Sequence, residues 1–120
     1  MKDTNENRWN ELLSHSLIGK LVLVGIVNLN AEGKLLNQQQ FFGRVSQANQ
    51  INGILLQLEG NQLGKEYNLP PDTAVFHPAS PGQYRLYSTG EIVFNPDFTV
   101  SFTIQKPAET KSAQNSSAKN

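Results

Sequence analysis

A chain of 120 residues has room for one domain of about a hundred residues and little beyond it. Its ten basic side chains balance ten acidic ones, so no overall field draws in a polyanion or an anionic membrane. The absence of cysteine excludes disulfide frameworks, thiolate nucleophiles and Cys-containing zinc sites, and it suits a reducing compartment.

The opening residues lack the apolar core of a signal peptide, and the apolar run 17–29 is too short and too interrupted by glycine to span a bilayer. The expectation is a soluble cytoplasmic protein with no membrane partner. Residues 3–16 read as a short helix, with Asp3 or Thr4 as N-cap and Glu6 in the first turn. Trp9, Leu12, Leu13 and Leu17 fall on one side of it. About three turns of helix are marginal alone, so this stripe is expected to dock on the rest of the domain.

Residues 18–29 form the longest apolar run, IGKLVLVGIVNL, and read as a central strand. With period two, Leu21, Leu23, Val27 and Leu29 lie on one face and Val22, Val24 and Ile26 on the other, so both faces require cover. The helix is the candidate for one of them. Gly25 in the middle predicts a bulge, a bend or a close backbone approach.

The segment 30–33, NAEG, supplies a turn, and an extended piece follows over 34–48 with a second bend expected near Phe42 and Gly43. After the turn 49–53 a third strand, 53–58, directs Ile54, Leu56 and Leu58 to one side. The short Asn/Gln runs at 37–40 and 47–50 sit inside these ordered patterns. Pro70 and Pro71 then bar regular structure, Asp72 stands where a turn of 3₁₀ or α-helix over 73–76 would want its N-cap, and 77–82 is a rigid connection ending in glycine. This makes 67–82 the longest irregular region and the first place to look for a site.

Residues 83–88 and 91–94 form a hairpin through Thr89 and Gly90, with Tyr84 and Leu86 inward and Arg85 and Tyr87 outward. The last strand, 98–105, alternates Phe98, Val100, Phe102 and Ile104 against Thr99, Ser101, Thr103 and Gln105. Residues 1–106 are therefore read as one domain, and 107–120, with no apolar side chain larger than alanine, as a disordered tail. The fold class is mainly β: a small, partly open SH3-like or OB-like barrel of five to six antiparallel strands with a short N-terminal helix. A two-sheet β-sandwich is the competing arrangement.

Chemistry is hard to assemble from these residues. His15 and His77 have no partner at ligand spacing, the serines lack a nucleophile-elbow context, and no phosphate-binding glycine motif occurs. Asp72 and Asp97 suit turns better than acid–base work. No catalytic, cofactor-binding or metal-binding residue is assigned. Arg85 and Tyr87 give a stacking platform for single-stranded nucleic acid its nearest approach, on a domain whose residues 18–105 hold five basic and six acidic side chains, so nucleic acid is an unfavoured partner.

The segments GKEYNLPPD (64–72), ASPGQYRL (79–86), STGEIV (88–93) and NPD (95–97), together with IGK at 18–20, resemble a family of small bacterial proteins of uncharacterised activity. Some of its members accompany toxin and immunity systems. The resemblance implies a small β-domain that works by binding, and it supplies no catalytic residues. The sequence thus points to a non-enzymatic protein-binding module, with Tyr67, Asp72, His77, Arg85 and Tyr87 as candidate contacts for another protein.

Overall fold

The structure, a computed structural model, describes residues 9–107. Among the described residues the domain is mainly β, with one short α-helix, a six-stranded mixed sheet and a separate two-stranded sheet. Helix α1 (Glu11–Leu17) is followed by β1 (Leu21–Leu29), β2 (Leu35–Asn49), β3 (Gly53–Leu58), β4 (Glu66–Leu69), β5 (His77–Pro78), β6 (Gln83–Arg85), β7 (Ile92–Phe94) and β8 (Phe98–Gln105). The large sheet runs β4-β3-β2-β1-β8-β5, and β6 pairs with β7 alone.

Side-chain chemistry explains the local boundaries. Asn10, not Asp3 or Thr4, caps the described helix, its Oδ1 accepting from the Leu13 N–H at 2.9 Å. Of the expected helix, 3–8 lies outside the described residues, as do 108–120 of the expected tail. In the β1–β2 turn, Asn30 Oδ1 accepts from the N–H groups of Glu32 and Lys34, and Gly33 takes the positive φ (86°) that closes it. Asn49 plays the same part before β3, accepting from Ile51 and Asn52.

Strand β1 is the centre of the sheet, as its two apolar faces require. It pairs antiparallel with β2 and parallel with β8, which corrects the expectation of antiparallel strands throughout. The parallel pair is possible because everything from β2 to β7 serves as the crossover between the two strands. Gly25 produces no bulge; its register to Gln40 and Ser101 is continuous, and the irregularities fall at Asn28/Leu29 and at Val45/Gln47. Gly43 is the glycine that a close approach demands, since a Cβ there would sit 2.3 Å from the Gln57 carbonyl oxygen.

Two hydrophobic clusters occupy the two faces. On one, Val22, Val24 and Ile26 pack with Phe41, Val45, Ile54, Leu56 and Val100. Trp9, Leu17 and Leu13 join that cluster, as expected, while Leu12 points outward at 83% exposure. The chain from β4 to β5 crosses the same face, burying Leu69, Thr73 and Phe76, and Thr73 Oγ1 accepts from the Asn10 N–H at 2.7 Å. On the opposite face, Leu21 and Leu23 are covered with Phe42 by Tyr84, Leu86 and Val93 of the β6–β7 hairpin. The sheet itself is open, ending at β4 and β5, and does not close into a barrel.

Candidate interaction surface on the outer hairpin

The hairpin that covers Leu21 and Leu23 is fixed at both ends and along its turn. At its base the Gly82 N–H donates to Asn95 Oδ1 at 2.8 Å and the Asn95 N–H returns to the Gly82 carbonyl at 2.8 Å, with Asn95 in the left-handed region (φ 51°) that Asn tolerates. The Tyr84 hydroxyl donates to the Ser80 carbonyl at 2.7 Å. At the far end Gly90 (φ 80°) closes the turn, donating to the Leu86 carbonyl at 2.8 Å. Glu91 takes Thr89 Oγ1 at 2.8 Å on one carboxylate oxygen and the Asn61 N–H at 2.6 Å on the other, tying the turn to the 3₁₀ segment Gly60–Gln62. Gln40 Oε1 accepts from the Tyr87 N–H.

Cross-strand register then decides what the hairpin shows to solvent. Tyr84 opposite Val93 forms the inward pair, so the neighbouring pairs, Gln83 with Phe94 and Arg85 with Ile92, face outward. Phe94 is 60% exposed, Ile92 42% and Tyr87, just past β6, 87%. Among the described residues Arg85 has no ion-pair partner. Phe94, Ile92 and Arg85 thus share the outer face of the hairpin, with Tyr87 exposed beyond its end, and aromatic and arginine side chains of this kind are enriched at the centres of protein interfaces.

Beyond the hairpin's edge the missing side chain of Gly25 leaves a hollow of about 150 Å³, bordered by Gln38, Gln40, Ser101, Thr103 and Tyr87. It is about half or less of the volume of a typical small-molecule pocket. Its lining is more apolar than polar, with Ile26, Val27 and Phe102 beside the amides and hydroxyls, and among the described residues Tyr87 is the one titratable side chain along it. Among the described residues there is no group of three or more His, Cys, Asp or Glu placed to hold a metal ion.

The five candidate residues divide. Arg85 and Tyr87 are both exposed, Arg85 within β6 and Tyr87 just past it beside the hollow over Gly25. Tyr67 lies in β4, half-buried, its ring centroid 4.8 Å from that of Phe41, and so belongs to the core. Asp72 caps the 3₁₀ turn Thr73–Val75 by accepting from the Ala74 N–H at 2.9 Å. His77 is exposed on β5, paired with Thr99 at the sheet edge opposite β4. The loop 67–82 thus works largely as cover for one face of the sheet. Ile92 and Phe94 were not among the candidates, although the alternation Ile-Val-Phe opposite an inward Tyr84 signals them.

Near the N-terminus, the Trp9 indole N–H donates to Glu11 Oε1 at 2.8 Å, and His15 reaches the other carboxylate oxygen at 2.9 Å. The indole hydrogen bond, opposed by desolvation and helped by His15, holds the Glu11 carboxyl below its ordinary value of 4.5. Among the described residues no helix is long and apolar enough to cross a membrane. No family model, curated protein or solved structure matches the chain.

Proposed function

We propose that this chain is a non-enzymatic protein-binding module of the bacterial cytoplasm, of the immunity type that its sequence resemblance implies. The outer face of β6–β7 is its docking surface. The observation that carries this reading is the set Arg85, Tyr87, Ile92 and Phe94, which lies exposed on a hairpin whose inner side is fully engaged. Apolar groups of this size are ordinarily turned inward on so small a hairpin, and here the inward positions are already filled by Tyr84, Leu86 and Val93. Arg85 flanked by Ile92 and Tyr87 fits a partner surface that presents a carboxylate between apolar side chains.

In this reading the sheet below, with its edges joined by the crossing of residues 70–76, serves as the rigid body of a partly open SH3-like barrel. A preorganised surface loses little freedom on binding, which favours recognition over chemistry.

Affinity capture from the native cell with the wild-type protein and an Arg85→Ala, Tyr87→Ala, Phe94→Ala variant tests the reading. A partner retained by the wild type and reduced about tenfold or more with the variant is expected, with the far-ultraviolet circular dichroism unchanged. Equal recovery by both proteins would remove the hairpin as the docking surface. A salt-dependent affinity for single-stranded oligonucleotide, lost in the same variant, would replace protein with nucleic acid as the partner.

A further inference from the structure

Among the described residues, strand β8 has an open edge with a defined window. On one side it pairs with β1 over its whole length, from Phe98 to Gln105. On the other, β5 reaches it only at Phe98 and Thr99. At the far end Pro107 withholds a main-chain donor, so the available stretch runs from Val100 to Lys106.

The main-chain groups in that window alternate in direction. The Lys106 N–H donates to the Leu29 carbonyl at 3.0 Å, which places the even-numbered residues of β8 in the ladder with β1. Thr99 pairs with His77, so within β8 the odd-numbered residues turn the other way; Asp97, before the strand, divides, its N–H on the Leu21 carbonyl of β1 and its own carbonyl accepting from the Ala79 N–H at 3.1 Å. Ser101, Thr103 and Gln105 therefore point their N–H and C=O groups at the open edge. They are exposed, as is Ile104 (47%), and Phe102 is half-buried.

We propose that this edge pairs with the same edge of a second copy, antiparallel, about a two-fold axis at Thr103. In that register Thr103 faces its own counterpart and Ser101 faces Gln105, so each outward donor meets an outward acceptor in about six main-chain hydrogen bonds. Phe102 then lies beside Ile104 of the second copy, in the non-hydrogen-bonded position where side chains approach most closely. The ends match too, because Ser101 and Gln105 are equidistant from the axis and are the last outward residues before β5 and Pro107. No side chain from Phe98 to Gln105 is charged and the chain is neutral overall, so a like edge meets no repulsion.

The open edge of β2 is not equivalent. Its register shifts between Asn37 and Leu35, and such a bulge interrupts the row of groups a partner would need. An interface of five residues a side with one apolar pair on each half is small, so the dimer forms by mass action in the micromolar range or above.

Sedimentation velocity of the full chain from about 5 μM to about 1 mM tests this, alongside two variants. Thr103→Pro removes a donor that β1 does not use, and Ile104→Lys brings like charges together across the axis. The wild type is expected to shift from monomer to dimer over that range, each variant to remain at least about tenfold more monomeric, and the amides of Ser101, Thr103 and Gln105 to gain exchange protection with concentration. A wild type monomeric throughout overturns the proposal. A dimer unaffected by Ile104→Lys also overturns it, as does one abolished by the hairpin variant Arg85→Ala, Tyr87→Ala, Phe94→Ala.

Discussion

The Asp97 carboxylate accepts the Leu21 N–H at 2.8 Å, and the Asp97 N–H donates to the Leu21 carbonyl at 2.8 Å, so one residue clasps both main-chain groups of another 76 positions away. This clasp stands at the start of the parallel β1–β8 ladder, where Val22 and Phe98 are the first aligned pair. Asp97→Ala removes the side-chain acceptor and leaves the Leu21 N–H at a partly buried position without it. A loss of about 1.5–3 kcal/mol is expected in urea unfolding. Asp97→Asn keeps an oxygen in place and should cost well under half as much. Equal losses for the two would show that charge, not the acceptor, matters.

Two glycines in the sheet give opposite expectations. At Gly43 an added Cβ would lie 2.3 Å from the Gln57 carbonyl oxygen and 2.8 Å from Leu58 Cα, both backbone atoms that cannot step aside. Gly43→Ala should destabilise by about 2 kcal/mol or more through forced separation of β2 and β3. At Gly25 nothing lies within 4 Å of the added atom, so Gly25→Ala should stabilise by about 0.5 kcal/mol through the lower entropy of its unfolded chain. Denaturant midpoints of the two variants, moving in opposite directions from wild type, check both.

Leu86 is fully buried between the hairpin and the sheet, whereas Leu12 is 83% exposed. Leu86→Ala is expected to cost about 2–5 kcal/mol, and Leu12→Ala to stay within about 0.5 kcal/mol of wild type. If the hairpin is the docking surface, Leu86→Ala also weakens capture of the partner without touching a contact residue, because it loosens the platform.

Glu11 supplies a pH dependence of determined sign. Its carboxyl is held below the ordinary 4.5 in the folded protein, chiefly by the Trp9 indole. A depressed carboxylate contributes stability that is present above the unfolded value and lost as pH falls through the folded one. Stability should therefore decline as pH drops below about 4.5, and Glu11→Gln should flatten that part of the profile. Trp9 fluorescence, followed over the same titration, should report the broken hydrogen bond in the wild type and stay level in the variant.

Period and punctuation in the sequence located most of the strands. The limits of β3 and β8 were legible to the residue, since Gly53 and Gly60 bracket one and Asp97 and Pro107 the other. The two faces of β1 were equally plain. The helix was expected over one face; what they could not disclose was the cover of the other, because Leu86 and Val93 look the same whether they extend the main sheet or lie across it. Strand direction was hidden for a related reason: alternation in β8 is identical for parallel and antiparallel neighbours. The exposure of Arg85 and Tyr87 was readable from inward Tyr84 and Leu86. The packing of Tyr67 on Phe41 was not readable, because it depends on β4 reaching the sheet through β3.

Pairing the first strand with the last has a temporal consequence during synthesis. Until residues 98–105 have emerged, β1 has only β2 beside it, with one row of its hydrogen-bonding groups and the strip Val22, Val24 and Ile26 still missing Val100 and Phe98. The nascent chain must hold its most apolar segment half-dressed while nearly all the remaining residues are made, and the ring closure that follows is among the longest the sequence allows. On the ribosome, completion of the middle of the sheet therefore waits for the last strand, and a chain stopped at residue 97 would be left with a sticky, unfinished centre.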